Sequence, residues 1–531
     1  MMSESMTSHD VVDEESAGPR IADLVAVAAS RRPDAAALVV TADRMPISYR
    51  DLMRLVDDLA RGLKRGGLRC GDRVALRTAS NAEFVVGLLA ASRADLVAVP
   101  LDPALPVTEQ RVRSEAAGAR VVLVDGPDGQ GAGEKGEPVL RWWPIAVTVH
   151  EATVEVALDA ATAPKRGVST PEGLRDDDAM IMFTGGTTGV PKMVPWTRGN
   201  IASSVRAIIA GYRFGPQDAT VAVMPLYHGH GLLAALLSTL ASGGTVLLPA
   251  RGRFSAHTFW DDIDAVRATW YTAVPTIHQI LLERAETDRS GNKQAALRFI
   301  RSCSAPLTPE TAQALQEEFS APVVCAFGMT EATHQVATTG IDQIENPAAT
   351  TGLVGRSTGP EIRISGSDGQ PVPADAVGEV WLRGSTVVRG YLGDPAITAA
   401  NFTEGWLRTG DLGSLSAAGD LTIRGRIKEL INRGGEKISP ERVEGVLTSH
   451  PKVLEVAVFG VPDKLYGETV AAVIVPRGSA SPTPAELAVF CRERLAAFEV
   501  PASFQEVSAL PHTAKGSLDR RAIAEQFGSG A

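Results

Sequence analysis

One stretch organises this chain: Thr184-Gly185-Gly186-Thr187-Thr188-Gly189-Val190-Pro191-Lys192. Its glycines allow the backbone to turn tightly and to bring N–H groups close to a ligand, and its threonine hydroxyls and lysine ammonium add further donors. The apolar run 179–183 before it predicts a buried strand. The pattern therefore predicts a phosphate-binding loop at a strand end, with a Gly/Thr surface turn as the alternative. A Walker A loop is excluded, because Met193 follows the lysine where that motif needs a Mg²⁺-binding Ser or Thr.

Length and composition bound the class of protein. At 531 residues the chain is too long for one ordinary core, so we expect two or more domains. A net charge of -10 without a basic tract argues against a nucleic-acid partner. The 4 cysteines have no CxxC spacing, which argues against a disulfide framework or a zinc site. Without a signal-peptide pattern, a long apolar run or a peroxisomal address, we expect a cytoplasmic protein with no integral membrane association.

The order of predicted elements indicates an α/β fold class. Residues 1–20 are expected to form a disordered tail, and helix and strand patterns alternate from residue 21 onward. Such alternation predicts a large N-terminal domain, residues 21–424, made of mostly parallel sheets layered with helices. The end of the chain, residues 429–531, predicts a smaller α+β domain.

Several loops follow predicted strands, and α/β sheets bind their ligands at the carboxyl ends of strands. The strand 220–224 leads into a loop that holds His228 and His230. We expect this loop to border a ligand, and the alternative is that both histidines pack in a polar turn. The strand 299–303 leads into a loop of small residues, which would let a flat ligand approach the backbone.

These motifs closely resemble those of the acyl-adenylate-forming enzymes, which include acyl-CoA synthetases, peptide-synthetase adenylation domains and luciferases. The resemblance runs from about residue 21 to about residue 523, with the main motifs in the family's order. It implies an AMP-forming acyl-CoA synthetase. A carboxylate would attack the α-phosphorus of MgATP to give acyl-AMP and pyrophosphate, and the thiol of coenzyme A would then attack the acyl carbon and release AMP. One departure is Gly185, where most members carry Ser, so the loop lacks one hydroxyl donor.

The resemblance assigns the binding of ATP and Mg²⁺ to residues of the large domain. Phe327 stands where family members stack an aromatic ring on adenine, and Asp411 stands where a carboxylate accepts from both ribose hydroxyls. Glu331 and Thr187 stand where the magnesium ion is held, and a solvated loop acid is the alternative for Glu331. The implied nucleotide-binding positions are Thr184, Gly185, Gly186, Thr187, Thr188, Gly189, Lys192, Ser304, Ala305, Pro306, Ala326, Phe327, Gly328, Met329, Thr330, Asp411 and Arg426.

In the resembled family a small C-terminal domain rotates between the two half-reactions. The resemblance places the hinge at residues 425–428, with Lys428 as the residue whose backbone torsions change. For Lys515, a solvated charge in a turn is the alternative to a catalytic role. The implied coenzyme A contacts are Arg433, Gly434, Gly435 and Lys437. The implied catalytic residues are Lys515, Glu331, Thr187 and His228.

The choice of acid is expected to depend on hydrogen-bond donors around the acyl group. Runs such as 228–232, 300–305 and 331–335 resemble those of plant and fungal oxalyl-CoA synthetases. Histidine and serine donate to a second carboxylate, and a protonated histidine would add charge assistance. The sequence therefore predicts a small dicarboxylate such as oxalate. Its expected contacts are His228, His230, Ser302, Ser304 and His334.

Three alternatives stay open at the level of sequence. A fatty-acid–CoA ligase for medium or long chains is one, since similar bacterial chains often carry that label. An adenylation enzyme that loads a separate carrier protein is another, although no carrier domain follows Lys515. A nucleotide-binding regulator without catalysis is the third, and the presence of Lys515, Glu331 and Asp411 argues against it. A carboxylic acid, ATP and coenzyme A are the expected partners of a monomer or homodimer.

Overall fold

The computed structural model describes residues 18–126, 141–150, 153–160, 163–184, 191–287, 296–341, 352–478, 481–513 and 518–528. The helices are α1 (Ile21–Arg31), α2 (Tyr49–Arg65), α3 (Ala82–Arg93), α4 (Val107–Ala116), α5 (Arg198–Tyr212), α6 (Ser238–Ala241), α7 (Phe259–Val266), α8 (Pro275–Thr287), α9 (Pro309–Phe319), α10 (Pro395–Asn401), α11 (Pro440–Thr448), α12 (Pro484–Arg492) and α13 (Arg520–Phe527). A π-helix covers His230–Leu237.

The strands of the large domain are β1 (Ala36–Val40), β2 (Met45–Ser48), β3 (Arg73–Arg77), β4 (Val97–Pro100), β5 (Ala119–Asp125), β6 (Trp142–Val149), β7 (Val154–Leu158), β8 (Asp178–Thr184), β9 (Lys192–Thr197), β10 (Ala219–Val221), β11 (Thr245–Leu247), β12 (Trp270–Ala273), β13 (Phe299–Cys303), β14 (Val323–Met329), β15 (His334–Thr338), β16 (Leu353–Ser357), β17 (Glu361–Ser365), β18 (Gly378–Arg383), β19 (Phe402–Thr403), β20 (Trp406–Leu415) and β21 (Leu421–Arg426). The smaller domain adds β22 (Ile431–Arg433), β23 (Glu436–Ile438), β24 (Val453–Asp463), β25 (Gly467–Pro476) and β26 (Ser503–Glu506). A large domain of layered sheets and helices is thus followed by a smaller α+β domain, and the predicted α/β class is confirmed, although the sheets of the large domain are mixed rather than mostly parallel.

Helices begin where the sequence supplies capping side chains. Ser48 accepts from the backbone N–H of Asp51 at the start of α2, and Asn81 accepts from that of Phe84 at the start of α3. On α2 the apolar side chains that recur at helical spacing are buried, which anchors the helix on the sheet. No helix among the described residues is long and apolar enough to span a bilayer.

A seven-stranded sheet carries the glycine-rich loop. Its order is β7-β6-β5-β3-β4-β8-β9, and β3, β4, β5 and β8 run parallel, as the alternating sequence pattern predicted. β8 and β9 form an antiparallel hairpin in which Thr184 lies opposite Lys192. The two ends of the loop are therefore held side by side, while residues 185–190 lie outside the described part of the chain.

A ten-stranded sheet carries the other predicted ligand loops. Its order is β12-β13-β14-β15-β16-β21-β20-β18-β17, with β19 paired to β20. β12, β13 and β14 are parallel, whereas from β14 onward neighbouring strands pair antiparallel. The change occurs because only the short 3₁₀ turn Thr330–Ala332 joins β14 to β15, too short for a crossover helix. A four-stranded sheet, β10-β11-β1-β2, completes the large domain.

The smaller domain is a five-stranded sheet of order β23-β22-β25-β24, with β26 beside β25 and α11 packed on β24. Its α11 also contacts β21, so the two domains touch near the predicted hinge. Ser439 Oγ lies only 2.5 Å from the position that a Cβ at Gly425 would take. The predicted hinge 425–428 spans the end of β21 and the start of the 3₁₀ turn Ile427–Glu429, and its role stays a prediction.

Gly231 fixes the path of the histidine loop. A Cβ at this position would lie 2.4 Å from the carbonyl oxygens of both Met224 and Pro225. Any larger residue would push the start of the π-helix away from the loop that precedes it. Since π-helical turns are frequently found at functional sites, this tight contact marks the loop as a positioned element.

We expect Gly231→Ala to destabilise the protein by about 1–3 kcal/mol, because the added methyl group collides with backbone oxygens that have no room to move. The midpoint of thermal unfolding measures this effect. Gly199→Ala is the matched control, since its Cβ would find only Thr197 Oγ1, at 3.6 Å, and alanine is favoured in a helix such as α5. Equal unfolding midpoints for the two variants would contradict a collision between the added methyl group at position 231 and the carbonyl oxygens of Met224 and Pro225.

Candidate active site

The glycine-rich hairpin and the loop after β14 are tied together. Trp196 Nε1 donates to the carbonyl oxygen of Thr330, 2.8 Å away. Tyr391 donates its hydroxyl hydrogen to Glu331 Oε1 at 2.9 Å, and Lys192 Nζ lies 4.5 Å from the centre of the same tyrosine ring. The tyrosine thus contacts the lysine by a cation–π interaction and the glutamate by a hydrogen bond. The lysine of the predicted phosphate loop and the glutamate of the predicted metal site therefore share one edge.

This edge has the charges and donors for a polyanion. Thr184 Oγ1 is buried and has no hydrogen-bond partner among the described residues. Burial lowers the pKa of Lys192; Glu331 opposes the shift, and the positive charge of Lys428 adds to it. Two ammonium groups that repel each other favour an anion between them. The remaining predicted loop residues, Gly185, Gly186, Thr187, Thr188 and Gly189, lie outside the described residues, as does Lys515.

Glu331 has the chemistry to hold the expected Mg²⁺. Its side chain is buried, and its Oε1 accepts a hydrogen bond from Tyr391. A carboxylate oxygen beside a phosphate site suits a hard cation. No group of three or more His, Cys, Asp or Glu side chains within the described ranges could hold a metal by itself. Nucleotide oxygens and water would therefore have to complete the coordination. Thr187, the second expected ligand, is not among the described residues.

Asp411 is buried, with 2% of its surface exposed, and only one of its oxygens is satisfied. Oδ1 pairs with Arg426 Nε at 2.9 Å, whereas Oδ2 has no partner in the described part of the chain. Burial raises the pKa of Asp411 to about 6; the charge of Arg426 opposes this shift, and those of Glu441 and Glu331 add to it. An unpaired buried carboxylate oxygen is costly, and a ribose hydroxyl would supply the missing donor.

The two predicted adenine segments border one cleft. Ala305 and Pro306 line one side, Ala326 lines another, and Gly352, Leu353 and Val354 close it. The cleft adjoins the small residues Ala305 and Ala326, and its role in binding adenine stays a prediction. The segment 327–330 continues from Ala326 along the same loop and is half-buried.

His230 is buried at the start of the π-helix, and both of its ring nitrogens have partners. Nδ1 lies 3.1 Å from Ser304 Oγ, and Nε2 lies 2.6 Å from Thr272 Oγ1. The ring stacks on that of His334, with the centroids 5.4 Å apart. Three of the predicted acid-binding residues, His230, Ser304 and His334, are thus brought together.

The other two predicted acid-binding residues lie on the same elements. Ser302 Oγ, on β13, is buried without a partner among the described residues and is therefore available to a ligand. His228 is half-buried, and its ring meets that of Tyr227 edge-on with centroids 4.8 Å apart. A Cβ at Gly229 would lie 3.1 Å from the Cβ of His334, so this loop packs directly against that histidine.

The backbone is strained at two of the predicted acid-binding residues. Ser304 has a φ of 74° and His334 a φ of 77°, both in the left-handed region that non-glycine residues avoid. Thr333, next to His334, has a φ of 49°. Such strain persists only where the surrounding structure enforces it, and it concentrates at functional sites.

Both buried histidines are neutral. Burial lowers the pKa of His230 and of His334 well below the ordinary value, and the positive charge of Arg301 lowers both further. Neither of these two histidines is therefore the protonated histidine expected at the acyl site, because desolvation and the neighbouring guanidinium both disfavour the imidazolium. A neutral imidazole still donates one hydrogen bond and accepts another.

Sequence reasoning missed three residues of this site: Arg301, Thr272 and Tyr391. Arg301 is fully buried on β13, and one of its terminal nitrogens lies 3.2 Å from His334 Nε2. A charged residue within the apolar strand Phe299–Cys303 was the available signal, since arginine is almost never fully buried without a role. Thr272 and Tyr391 carry no such signal, because only the folded chain brings them to the site.

The predicted coenzyme A positions form the turn between β22 and β23. Arg433 donates to the carbonyl oxygen of Phe498 at 3.1 Å and lies over the ring of Tyr466, 4.8 Å from its centre. Gly434 and Gly435 have φ values of 61° and 98°, which only glycine adopts readily. Lys437 follows and is exposed, as is Lys428. The roles of these residues stay predictions.

Comparisons with known proteins identify the family of the chain. A family model described as AMP-binding enzyme matches residues 25–392, and one described as AMP-binding enzyme C-terminal domain matches residues 442–517. The chain is 41% identical to an oxalate–CoA ligase of Arabidopsis thaliana, over 94% of this chain and 97% of that protein. It is 35% identical to an oxalate–CoA ligase of Saccharomyces cerevisiae, over 93% of this chain and 95% of that protein. The crystal structure of ATP-bound MatB from Rhodopseudomonas palustris matches with a TM-score of 0.81 at 28% identity, covering 96% of this chain and 99% of that one.

Nucleotide binding is expected to weaken on acidification as Asp411 takes up a proton. Only the ionised carboxylate accepts from both ribose hydroxyls, and its pKa of about 6 lies above the ordinary value of 3.8. Affinity is therefore lost as the pH falls through this value. Between pH 7 and pH 5 the Kd of AMP should rise about tenfold, since roughly nine-tenths of the groups are protonated at pH 5. Titration calorimetry at a series of pH values measures this change.

Asp411→Asn separates this effect from the titration of the phosphate of AMP itself. The variant should bind AMP more weakly at pH 7 and should keep only the pH dependence that belongs to the ligand. If the variant and the unmodified protein show the same pH profile, Asp411 is not the titrating group.

Proposed function

Because the chain belongs to the AMP-binding enzyme family and is an AMP-forming acid–thiol ligase, we propose that it joins a small dicarboxylate, oxalate first, to coenzyme A. The observation that carries the choice of acid is a polar cluster in which His230, Thr272 and His334 are buried and the exposed Ser304 lies at the edge. The similarity to the oxalate–CoA ligases of a plant and a yeast supports the same choice.

In the first half-reaction a carboxylate oxygen of the acid attacks the α-phosphorus of ATP. The bond from that phosphorus to the bridging oxygen breaks, and pyrophosphate leaves with its electron pair. Lys192 and the Thr184 hydroxyl lie at the ends of the loop that would hold the phosphates, and Lys515 is proposed to donate to the α-phosphate and the acid. Magnesium, held by Glu331 and Thr187, would supply charge neutralisation when bound.

In the second half-reaction the thiol sulfur of coenzyme A attacks the acyl carbon of the adenylate. The bond between that carbon and the phosphate oxygen breaks, and AMP leaves. Lys428 lies near enough to Lys192 for its charge to lower the pKa of that lysine, so the hinge adjoins the phosphate site. We propose that rotation at Lys428 exchanges the group that serves the first step, Lys515, for the turn that contains Arg433.

The acid-binding cluster provides donors for a second carboxylate. Ser302 Oγ is buried without a partner in the described ranges, and Ser304 and His334 lie beside His230. Burying a carboxylate without such donors would be costly, so a site with several donors selects an acid that uses them. Oxalate places its two carboxylates next to each other, which suits donors that lie close to the reacting centre.

A fatty acid is less compatible with this cluster. A long apolar chain needs an apolar tunnel, and methylene groups would leave the buried Ser302 hydroxyl, which has no partner among the described residues, unsatisfied. The backbone strain at Ser304 and His334 would then serve no purpose that the structure shows.

We expect Lys515→Ala to abolish adenylation and to spare thioester formation from supplied oxalyl-AMP. Loss of one preorganised donor typically costs ~10²–10³ in rate, and only the first half-reaction needs this one. ATP–pyrophosphate exchange measures the first step, and thioester formation from synthetic oxalyl-AMP measures the second. Lys464→Ala is the control, because Lys464 is an exposed lysine of the same domain. Unchanged exchange in Lys515→Ala would refute the assignment.

The choice of acid is tested by kcat/KM for oxalate, malonate, acetate, hexanoate and palmitate. We expect oxalate to lead this series, because it alone satisfies the donors next to the reacting carboxylate. His334→Asn should raise the KM for oxalate far more than the KM for ATP. A preference for hexanoate or palmitate over oxalate would overturn the proposed acid and favour a fatty-acyl substrate.

A further inference from the structure

Arg301 is a fully buried guanidinium whose hydrogen-bond partners are all neutral. Nε donates to the Tyr212 hydroxyl at 2.8 Å, and one terminal nitrogen donates to Thr272 Oγ1 at 3.0 Å. The other terminal nitrogen donates to Gln335 Oε1 at 3.0 Å and lies 3.2 Å from His334 Nε2. No carboxylate in the described part of the chain lies within ion-pair distance of this group.

The neighbouring Arg298 shows the contrast. It precedes β13 by one residue and forms an ion pair with the buried Asp218, so its charge is neutralised within the protein. Arg301 has no such acid, and burial raises the pKa of Tyr212, which keeps that phenol neutral as well. An arginine stays protonated at all ordinary pH values, and a buried charge without a counterion is costly. The site is therefore left with positive potential for a bound anion to neutralise.

The hydrogen bonds of Arg301 determine which groups of the acid-binding cluster are donors. One chain of hydrogen bonds, called here the His230 arm, runs from Arg301 through Thr272 and His230 to Ser304. Thr272 Oγ1 accepts from Arg301, so its own hydrogen is free to be donated to His230 Nε2, 2.6 Å away. The neutral His230 then carries its proton on Nδ1 and donates it to Ser304 Oγ, 3.1 Å away. The hydroxyl hydrogen of Ser304 remains available at the end of this arm.

A second arm is the direct hydrogen bond from Arg301 to His334. Its Nε2 faces a guanidinium, which only donates, so Nε2 must be the acceptor. The proton of the neutral ring therefore lies on Nδ1, where it serves as a donor. Since the rings of His230 and His334 are stacked, with centroids 5.4 Å apart, the two arms run close together.

We propose that Arg301 is a positioning residue that makes the site selective for an acid with a second negative charge. It fixes both arms as hydrogen-bond donors and supplies the buried positive charge that the second carboxylate neutralises. This inference rests on the proposed dicarboxylate function and adds the residue that discriminates between acids with and without a second negative charge. The competing explanation is a purely structural one, in which Arg301 only links α5, β12, β13 and β15.

Oxalate and oxamate distinguish these explanations, because oxamate replaces one carboxylate of oxalate by an uncharged amide of the same shape. Dissociation constants for both acids are measured by calorimetry in the presence of a non-hydrolysable ATP analogue. In the unmodified protein oxalate should bind more tightly. Arg301→Gln should reduce the preference for oxalate over oxamate by about 100-fold, with little change for oxamate. Arg301→Lys, which keeps the charge, should retain most of the preference.

Arg298→Gln is the matched control, since it removes an arginine that already has a protein counterion and should leave the preference intact. Thr272→Val provides a second variant that leaves Arg301 in place. It breaks only the arm through His230, so oxalate should bind more weakly while the preference for the charged acid persists. It therefore keeps the inference testable if Arg301→Gln does not fold.

Each outcome decides one statement. Equal weakening of oxalate and oxamate in Arg301→Gln would mean a purely structural role and would overturn the inference alone. Loss of the preference in Thr272→Val would place the selectivity in the His230 arm and would also overturn it. If the unmodified protein prefers hexanoate to oxalate, the proposed function fails, and the inference fails with it.

Discussion

The hydrogen bonds of one buried guanidinium hold the proposed acid-binding half of the site together. Arg301 on β13 bonds to Tyr212 at the end of α5, to Thr272 on β12 and to Gln335 on β15, so four elements meet at one side chain. A buried polar network tolerates little error, because every unmet donor or acceptor costs free energy. This constraint explains why the histidine loop packs tightly and why nearby backbone is held in strained conformations.

The nucleotide half of the site depends on a different principle. It offers two side-chain oxygens that have no partner among the described residues, the Thr184 hydroxyl and Oδ2 of Asp411, together with the mutually repelling charges of Lys192 and Lys428. Such groups raise the free energy of the protein without a ligand, and a bound nucleotide would lower it by supplying the missing hydrogen bonds and the opposite charge. The protein thus gives up some stability around the nucleotide, whereas around the acid it satisfies almost every group internally and leaves one net charge.

The hinge region adds a further electrostatic link. Arg520, at the start of α13, pairs with Glu429 at 2.8 Å and with Glu444 at 2.8 Å, so it connects the 3₁₀ turn after β21 to α11. Burial raises the pKa of Glu429 to about 7; Arg520 opposes this shift and Glu441 adds to it. The turn that would have to move between half-reactions is therefore held by charge pairs, which can exchange partners more easily than packed apolar side chains.

The sequence by itself determined the family and the α/β class, and it predicted the residues of the nucleotide site. Glycine-rich turns, strand-end loops and Asp411 with Arg426 depend on local backbone geometry and short spacings, which a sequence pattern preserves. Tertiary structure alone decided the protonation of His230 and His334 and the contacts of Thr272 and Tyr391. The physical reason is that a pKa and a hydrogen-bond network depend on burial and on charges brought together from distant parts of the chain. Arg301 was visible in the sequence as a charge in an apolar strand, but only the fold showed that no acid accompanies it in the described residues.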